Sequence, residues 1–329
     1  MTREILSTLA LIASFAAQAR VPSTSASRNV HKKMNTTELH HLARKVSVQV
    51  RTNTPQGIST GSGTWISEEY VATCWHVVKD GQGTIEVRVA VPTWYDQEKR
   101  NLLWGSFYDY QAAVILKDID ADVAILKVNN SPFKKQQPIL LKTDKVKIGV
   151  EVAVARPKVE LPDAGTLTAL AGFPLGRPEV LTQFGNVSGT GLVLRVDPTE
   201  EMQAAIQRRA SSDELRQIHD RTRKQLRVFV AVVSNPANSG GPVLDEAGNL
   251  IGLLQGNLLS PSKDESERTA IYLRPKRDEA GNLAHDATGQ TQIESAQMLQ
   301  NSGISIVIPV MFVMDLLKES EKNQSPPSH

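Results

Sequence analysis

The feature that most restricts this chain is its succession of short, β-branched runs: VSVQVRT, GSGTWIS, YVATC, TIEVRVAV, QAAVILK, DVAILKV, VEVAVAR, EVLTQFGNVSGT, GLVLRV, RVFVAVV, GPVLD, NLIGLLQG and ISIVIPV. Gly, Pro, Asn and Asp separate them. So many short strands at turn-separated spacing predict an all-β barrel or sandwich, not alternating strands and helices. Four stretches break the pattern. Thr36-Thr37-Glu38 opens a short amphipathic helix through Lys45, with Leu39, Leu42 and Ala43 spaced for one buried face. Residues 197–227 are charged and helix-prone, an insertion between two strand-like runs. Residues 260–300 are polar and read as a long surface loop with one helical turn near 293–300. Met311 to Lys322 is spaced as a closing helix through Val313, Leu316 and Leu317, and residues 323–329 form a tail.

With 40% hydrophobic and 22% charged residues, the 329-residue chain can bury one large core or two moderate ones. A net charge of +2 with both signs interspersed supplies no extended basic face, so nucleic acid is not expected as a partner. Cys74 is the single cysteine, which excludes an intrachain disulfide. It reads as a small buried hydrophobe, with a redox-sensitive thiol as the alternative; Trp75 reads as packing. At the N-terminus, Arg3 precedes an apolar run from Ile5 to Ala19 that ends in Ala17-Gln18-Ala19. The pattern resembles a secretory signal peptide, too short to span a bilayer comfortably. Residues 1–19 are therefore expected to be a cleaved signal or an uncleaved anchor, a buried helix being the other reading. An exported protein, periplasmic or secreted, follows, with 20–35 as a Ser-rich linker.

The stretch NPANSGGPVLDEAGNLIG places Ser239 before two glycines and a proline, between two strand-like runs. A neutral hydroxyl is a weak nucleophile, so chemistry there needs a base for its proton and donors for the developing oxyanion. Among seven histidines, His31, His40, His41, His219, His285 and His329 fall in the linker, the first helix, the insertions or the terminus. His76 alone directly follows an apolar strand, in YVATCWHVV; a lone histidine at a strand end is more often structural than catalytic. An orienting acid is then required. Asp122 begins the apolar strand DVAILKV, whereas Asp118 and Asp120 lie in the preceding turn; Asp120 is the fallback, and a plain turn residue is the other reading of Asp122.

The order His76, Asp122, Ser239, each at a strand edge, is that of the chymotrypsin-like serine proteases. The chain resembles trypsin-like peptidases, and among them the HtrA (Deg) type. The residues that carry the resemblance are GSGTWISEEYVATCWHVV, DVAILKV, AGFPLG with VLTQFGNVSGTG, NPANSGGPVLDEAGNLIGL and GISIVIPV, over roughly residues 36–318 without the insertions. It implies a chymotrypsin-like double β-barrel over 36–322, with a short N-terminal helix, a C-terminal helix and the helical insertion. It also implies a serine endopeptidase without cofactor or metal, in which Ser239 attacks, His76 is base then acid, and Asp122 orients His76. Backbone N–H groups of Ala237 and Ser239 would form the oxyanion hole. The strand edge at Leu254, Gln255 and Gly256 would pair with substrate backbone, and Val233 at the base of the primary pocket would favour an apolar residue before the cleaved bond. The implied substrates are unfolded or exported polypeptides, and homo-oligomers, trimers in particular, are implied as well.

Ala237 departs from the resemblance, because glycine is usual there and tolerates backbone angles that a Cβ resists. An unproductive oxyanion loop would leave a weak or inactive protease-like protein that binds peptides as a chaperone. The chain ends soon after PVMFVMDLLK, so the peptide-sensing PDZ module usual in that type is not expected. The insertion 197–227 falls where the type carries a regulatory loop. It is expected either to contact a regulatory partner or another subunit and switch the Ala237 loop, or to be a solvated hairpin without a role.

Overall fold

Strands β1 (Ser47–Thr54), β2 (Gly57–Trp65), β3 (Tyr70–Cys74), β4 (Ile85–Asp96), β5 (Asn101–Asp118) and β6 (Val123–Val128) close into an antiparallel barrel in the order β1-β2-β3-β6-β5-β4. The structure is a computed structural model that describes residues 33–55, 57–96, 101–134, 138–140, 147–149, 151–193, 208, 211–259, 269–275, 292–299 and 301–324. The expected signal segment 1–19, the linker as far as residue 32, most of 197–210 and the tail beyond residue 324 lie outside the described residues. A small sheet of β7 (Pro138–Leu140) and β8 (Lys147–Gly149) follows the barrel, then the two-residue β9 (Arg156–Pro157).

The second barrel is built from β10 (Leu167–Gly172), β11 (Leu181–Leu192), β12 (Leu226–Ala231), β13 (Pro242–Asp245) and β14 (Asn249–Leu259). Next along the chain, β15 (Thr269–Pro275) and β16 (Ile293–Leu299) pair with each other, and β17 (Asn301–Pro309) completes the barrel. Its order is β13-β10-β11-β12-β17-β14, closed by the β13–β14 pairing, with β9 added in parallel to β14. The chain is thus the expected all-β double barrel. Closure in both halves leaves no long unpaired strand edge in either barrel.

Among the described residues, four α-helices flank the strands: α1 (Thr36–Val46), α2 (Trp75–Val78), α3 (Ser212–Arg223) and α4 (Val310–Gln324). Asn35 caps α1 in a reciprocal box with Glu38, so the helix is fixed one residue before the expected Thr36. Leu39, Ala43 and Val46 on its buried face pack against the second barrel at β10 and β13, although α1 precedes the first. Conversely, α4 follows the second barrel and packs on β5 and β6 of the first as well as on β14. That contact explains why Val123, Ala124, Ile125 and Leu126 of β6 are all buried: one face fills the barrel and the other meets α4. The terminal helices therefore brace the two barrels and fix the cleft between them.

Two sequence expectations are corrected. VEVAVAR forms no strand before Arg156. It is a connector whose Ala153 and Ala155 N–H groups donate singly to Lys45 O and Trp65 O rather than to one partner strand, with Val154 left 39% exposed. Within 260–300, the helical turn near 293–300 is instead β16. TAIYLRP supplies a β-branched and aromatic partner strand, and pairing across a ladder overrides a weak local preference.

Candidate active site

β3 ends at Cys74, and the chain turns directly into α2, whose Val77 and Val78 are buried and anchor His76 between them and the strand. The β5–β6 turn brings in Asp122. Asp118 shapes this turn by accepting the N–H groups of Asp120 and Ala121 at 3.1 and 3.0 Å. Asp122 itself adopts φ 63°, a left-handed conformation that aspartate tolerates better than most residues. Its carboxylate accepts three bonds: His76 N–H at 2.9 Å, His76 Nδ1–H at 2.7 Å and Gln255 Nε2–H at 2.8 Å. A carboxylate on Nδ1 fixes the tautomer that leaves Nε2 free to take a proton. Asp122 is buried and His76 is open to solvent, while Asp120 is exposed; Asp122, not the fallback, meets the histidine.

Ser239 comes from the other barrel, on the β12–β13 loop, which is held by the first barrel. Ser62 of β2 donates its N–H to Ser239 O at 2.7 Å and its hydroxyl to Ala237 O at 2.8 Å, and Thr64 Oγ1 donates to Gly240 O at 3.1 Å. Gly240, at φ 89°, leaves no room for a side chain: a Cβ there would stand 2.1 Å from Ser62 O, and one on Gly241 would stand 2.0 Å from Ala171 O. These close approaches bend the loop so that Ser239 faces the cleft. The Ser239 hydroxyl donates to Gln255 O at 2.8 Å, and among the described residues no hydrogen bond joins it to His76. Among the described residues, the N–H groups of Ala237 and Ser239 donate to no protein group.

Ala237 sits at φ 71°. The left-handed angle that glycine would adopt is therefore imposed on alanine at a cost of roughly 1–2 kcal/mol. Ala237→Gly is expected to raise kcat by up to about tenfold by populating this loop state, with the change in urea stability below about 1 kcal/mol because glycine also frees the unfolded chain. An unchanged or lower kcat would count against strain at this residue.

Burial opposes ionisation of Asp122, but the bonds and charge of His76 and the Gln255 amide outweigh it and hold its carboxyl below the usual range. Asp245 behaves alike: burial is offset by Asn249 and then Lys158. Both folded values lie below the unfolded ones, so their stabilisation is full above about pH 4 and lost as pH falls through the depressed folded values. Urea midpoints are expected to hold from pH 7 to about 5 and to fall below about 4. Midpoints that stay level to pH 3 would contradict this.

Cys74 is buried, donates its Sγ–H to Leu254 O at 3.3 Å, and burial pushes its thiol well up. It is the inert hydrophobe of the first reading. Cys74, His76 and Asp122 bring ligand-type atoms within 4.8 Å of one another, but the thiol is protonated and Asp122 Oδ2 is already bonded twice, a poor donor set for a cation.

The substrate-edge residues divide. Leu254 is buried with both backbone groups used, its N–H on Gly241 O and its carbonyl receiving Gly240 N–H. It is corrected to an inner strand position, and the accessible edge begins at Gln255 and Gly256, where a Cβ on Gly256 would meet nothing within 4 Å. Val233 is 46% exposed, beside Ser234, which is tied to Asn257 of β14 by three hydrogen bonds. Sequence reasoning missed the Gln255 side chain on Asp122, the Arg227 guanidinium behind it and Ser62 under the serine loop. Each is polar and placed by tertiary contacts alone, Ser62 and Arg227 buried and Gln255 half-buried, which no local pattern signals.

The sequence profile of the trypsin-like peptidase domain matches residues 61–253, more than half of the chain. The chain belongs to the trypsin-like peptidases. Its family is one of serine endopeptidases. Protease Do-like 1, chloroplastic, of Arabidopsis thaliana is 28% identical over 200 residues, 60% of this chain and 33% of that protein. The trypsin-like chain thus spans about a third of this relative's length, and the similarity is in keeping with the HtrA type. The active form of the Rv3671c protease from M. tuberculosis superposes with a TM-score of 0.50 at 14% identity, over 94% of this chain and 97% of that one. At that identity the likeness is one of fold. The HtrA-type protease AlgW with a tripeptide gives 0.49 at 16% identity, over 87% of this chain and 63% of that one.

Proposed function

We propose that this trypsin-like chain hydrolyses peptide bonds with Ser239 as nucleophile, His76 as base then acid, and Asp122 as its orienter. The observation that carries the reading is the buried Asp122 bonded twice to His76, across a cleft from a serine flanked by two unused N–H groups. His76 Nε2 takes the Ser239 proton as the hydroxyl attacks the scissile carbonyl. The tetrahedral oxyanion accepts from Ala237 and Ser239 N–H, and His76 then protonates the leaving amine. Water repeats the sequence on the acyl-serine. Substrate backbone pairing at Gln255 and Gly256 and an apolar side chain at Val233 support polypeptides with an apolar residue before the cleaved bond, and unfolded chains expose such segments. The apolar segment 1–19 supports export, and the resemblance supports a homo-oligomer; N-terminal sequencing and sedimentation test these.

One observation favours a second reading, a catalytically silent peptide-binding protein: Ser239 Oγ is engaged with Gln255 O, not His76. Phosphonylation by a fluorophosphonate requires an activated hydroxyl, not merely an exposed one. Labelling of the purified wild type that disappears in Ser239→Ala supports the peptidase. No labelling of wild type favours the silent protein, and labelling that survives Ser239→Ala refutes the nucleophile.

A further inference from the structure

Building on the peptidase reading, we propose that Arg227 and Gln255 form a positioning relay that fixes the Asp122 carboxylate, and through it His76, from the root of the α3 segment.

Gln255 is the unpaired residue of a β-bulge: Leu254 pairs with Val307 and Gly256 with Ile306, leaving Gln255 between them. A bulge re-aims a side chain, and this one turns toward Asp122. The amide is held at both ends, Nε2 donating to Asp122 Oδ2 at 2.8 Å and Oε1 accepting from Arg227 Nε at 2.7 Å. A flipped amide would set oxygen against carboxylate and NH2 against guanidinium, so Arg227 dictates which end of Gln255 faces the acid.

Arg227 is 4% exposed, and its remaining donors reach main-chain oxygens: Nη1 contacts Lys224 O at 2.8 Å and Leu226 O at 2.9 Å, and Nη2 contacts Ala121 O at 3.2 Å. Ala121 precedes Asp122. One guanidinium therefore steadies this aspartate from two sides, through Gln255 on its side chain and through Ala121 on its backbone. Lys224 adds a third hold, its Nζ lying 2.9 Å from Asp118 Oδ2, while Asp118 Oδ1 organises the turn. Residues 224–227, which follow α3 directly, thus grip the Asp118–Asp122 turn. The bonds at this end of the insertion lead to the acid, whereas the expected target was the Ala237 loop.

Asp122 Oδ2 receives both His76 Nδ1 and Gln255 Nε2, so without the amide the carboxylate is held by His76 alone, and the acid and the imidazole can shift together. Misplacement by about 1 Å costs on the order of a hundredfold in rate.

The test uses the full chain and compares wild type with Arg227→Met, Gln255→Leu and the double variant, folding being checked by thermal unfolding. Readouts are kcat and KM on a peptide substrate and the downfield proton resonance of the His76–Asp122 hydrogen bond. Each single substitution is expected to lower kcat by about ten- to a hundredfold, with KM within about twofold, and to broaden or shift the resonance. The double variant is expected to match Gln255→Leu, because both act through one amide. Additive losses, a fall confined to KM, or an unmoved resonance in Gln255→Leu would each overturn the relay. Where Arg227→Met fails to fold, the half-exposed Lys224→Met replaces it, with a smaller loss of kcat expected and no change overturning the grip on the turn. An inactive, unlabelled wild type whose resonance still responds to Gln255→Leu sinks the peptidase reading and keeps the relay; an active enzyme indifferent to Gln255→Leu sinks the relay alone.

Discussion

Ser239→Ala is expected to lower kcat about a millionfold, and Ser239→Ala with His76→Ala is expected to be no worse than either change alone. The physical reason is that, in the proposed mechanism, the hydroxyl and the imidazole perform one event. Without the base the hydroxyl keeps its proton, and without the hydroxyl the base has no proton to take. What survives would come from the Ala237 and Ser239 N–H groups and from substrate binding, worth about a thousandfold or more over water. Ser239 is held through its carbonyl by Ser62 N–H, a bond that alanine keeps, so folding and KM should be unaffected. Turnover by the double variant well below that of both singles would mean that the two residues do not act as a unit.

Asp122→Asn is expected to lower kcat about ten-thousandfold with little change in size or packing. Asp122 accepts at every contact its side chain makes: Oδ1 from His76 N–H, and Oδ2 from His76 Nδ1 and Gln255 Nε2. Asparagine has one acceptor end. If its oxygen keeps the His76 backbone N–H, its NH2 faces Nδ1 and the Gln255 amide, donor against donor. His76 then carries its proton on Nε2, the nitrogen that should receive one from Ser239. The loss is one of tautomer rather than of geometry, so it should be partly recovered at high pH, where hydroxide takes the serine proton in place of the missing base. Stopped kinetics across pH check this, and a loss of less than about tenfold would mean that Asp122 does not orient the base.

Much of this was legible in the chain. Ser239, followed by two glycines where a Cβ would meet backbone at 2.1 and 2.0 Å, marks a turn that only glycine can make. His76 stands out because it alone among seven histidines follows an apolar strand, and the all-β class follows from the short β-branched runs. At VEVAVAR the apolar alternation suggests a strand, but the stretch is a connector tied by single hydrogen bonds to Lys45 O and Trp65 O, with Val154 exposed; alternation alone does not supply a partner strand. The resemblance carries Leu254 onto the substrate edge by position alone. A strand pattern tells which residues point inward, not which backbone groups have already been used by a neighbouring loop.

What the sequence determined by itself was the list of parts: a succession of short strands, a serine in a glycine turn, a histidine at a strand end, an aspartate before an apolar strand, and an alanine two residues before the serine. What only the tertiary structure decided was which part meets which. Asp122 rather than Asp120 reaches His76 because the Asp118 turn and its φ of 63° aim it there. Ser239 rests on Gln255 O and Ala237 accepts φ 71° because Ser62 and Thr64 of the other barrel hold the loop. Arg227 and Gln255 come to stand behind the acid through a bulge in β14. Local patterns encode burial and turns, whereas hydrogen bonds between residues 46 to 176 positions apart depend on how distant strands are brought together.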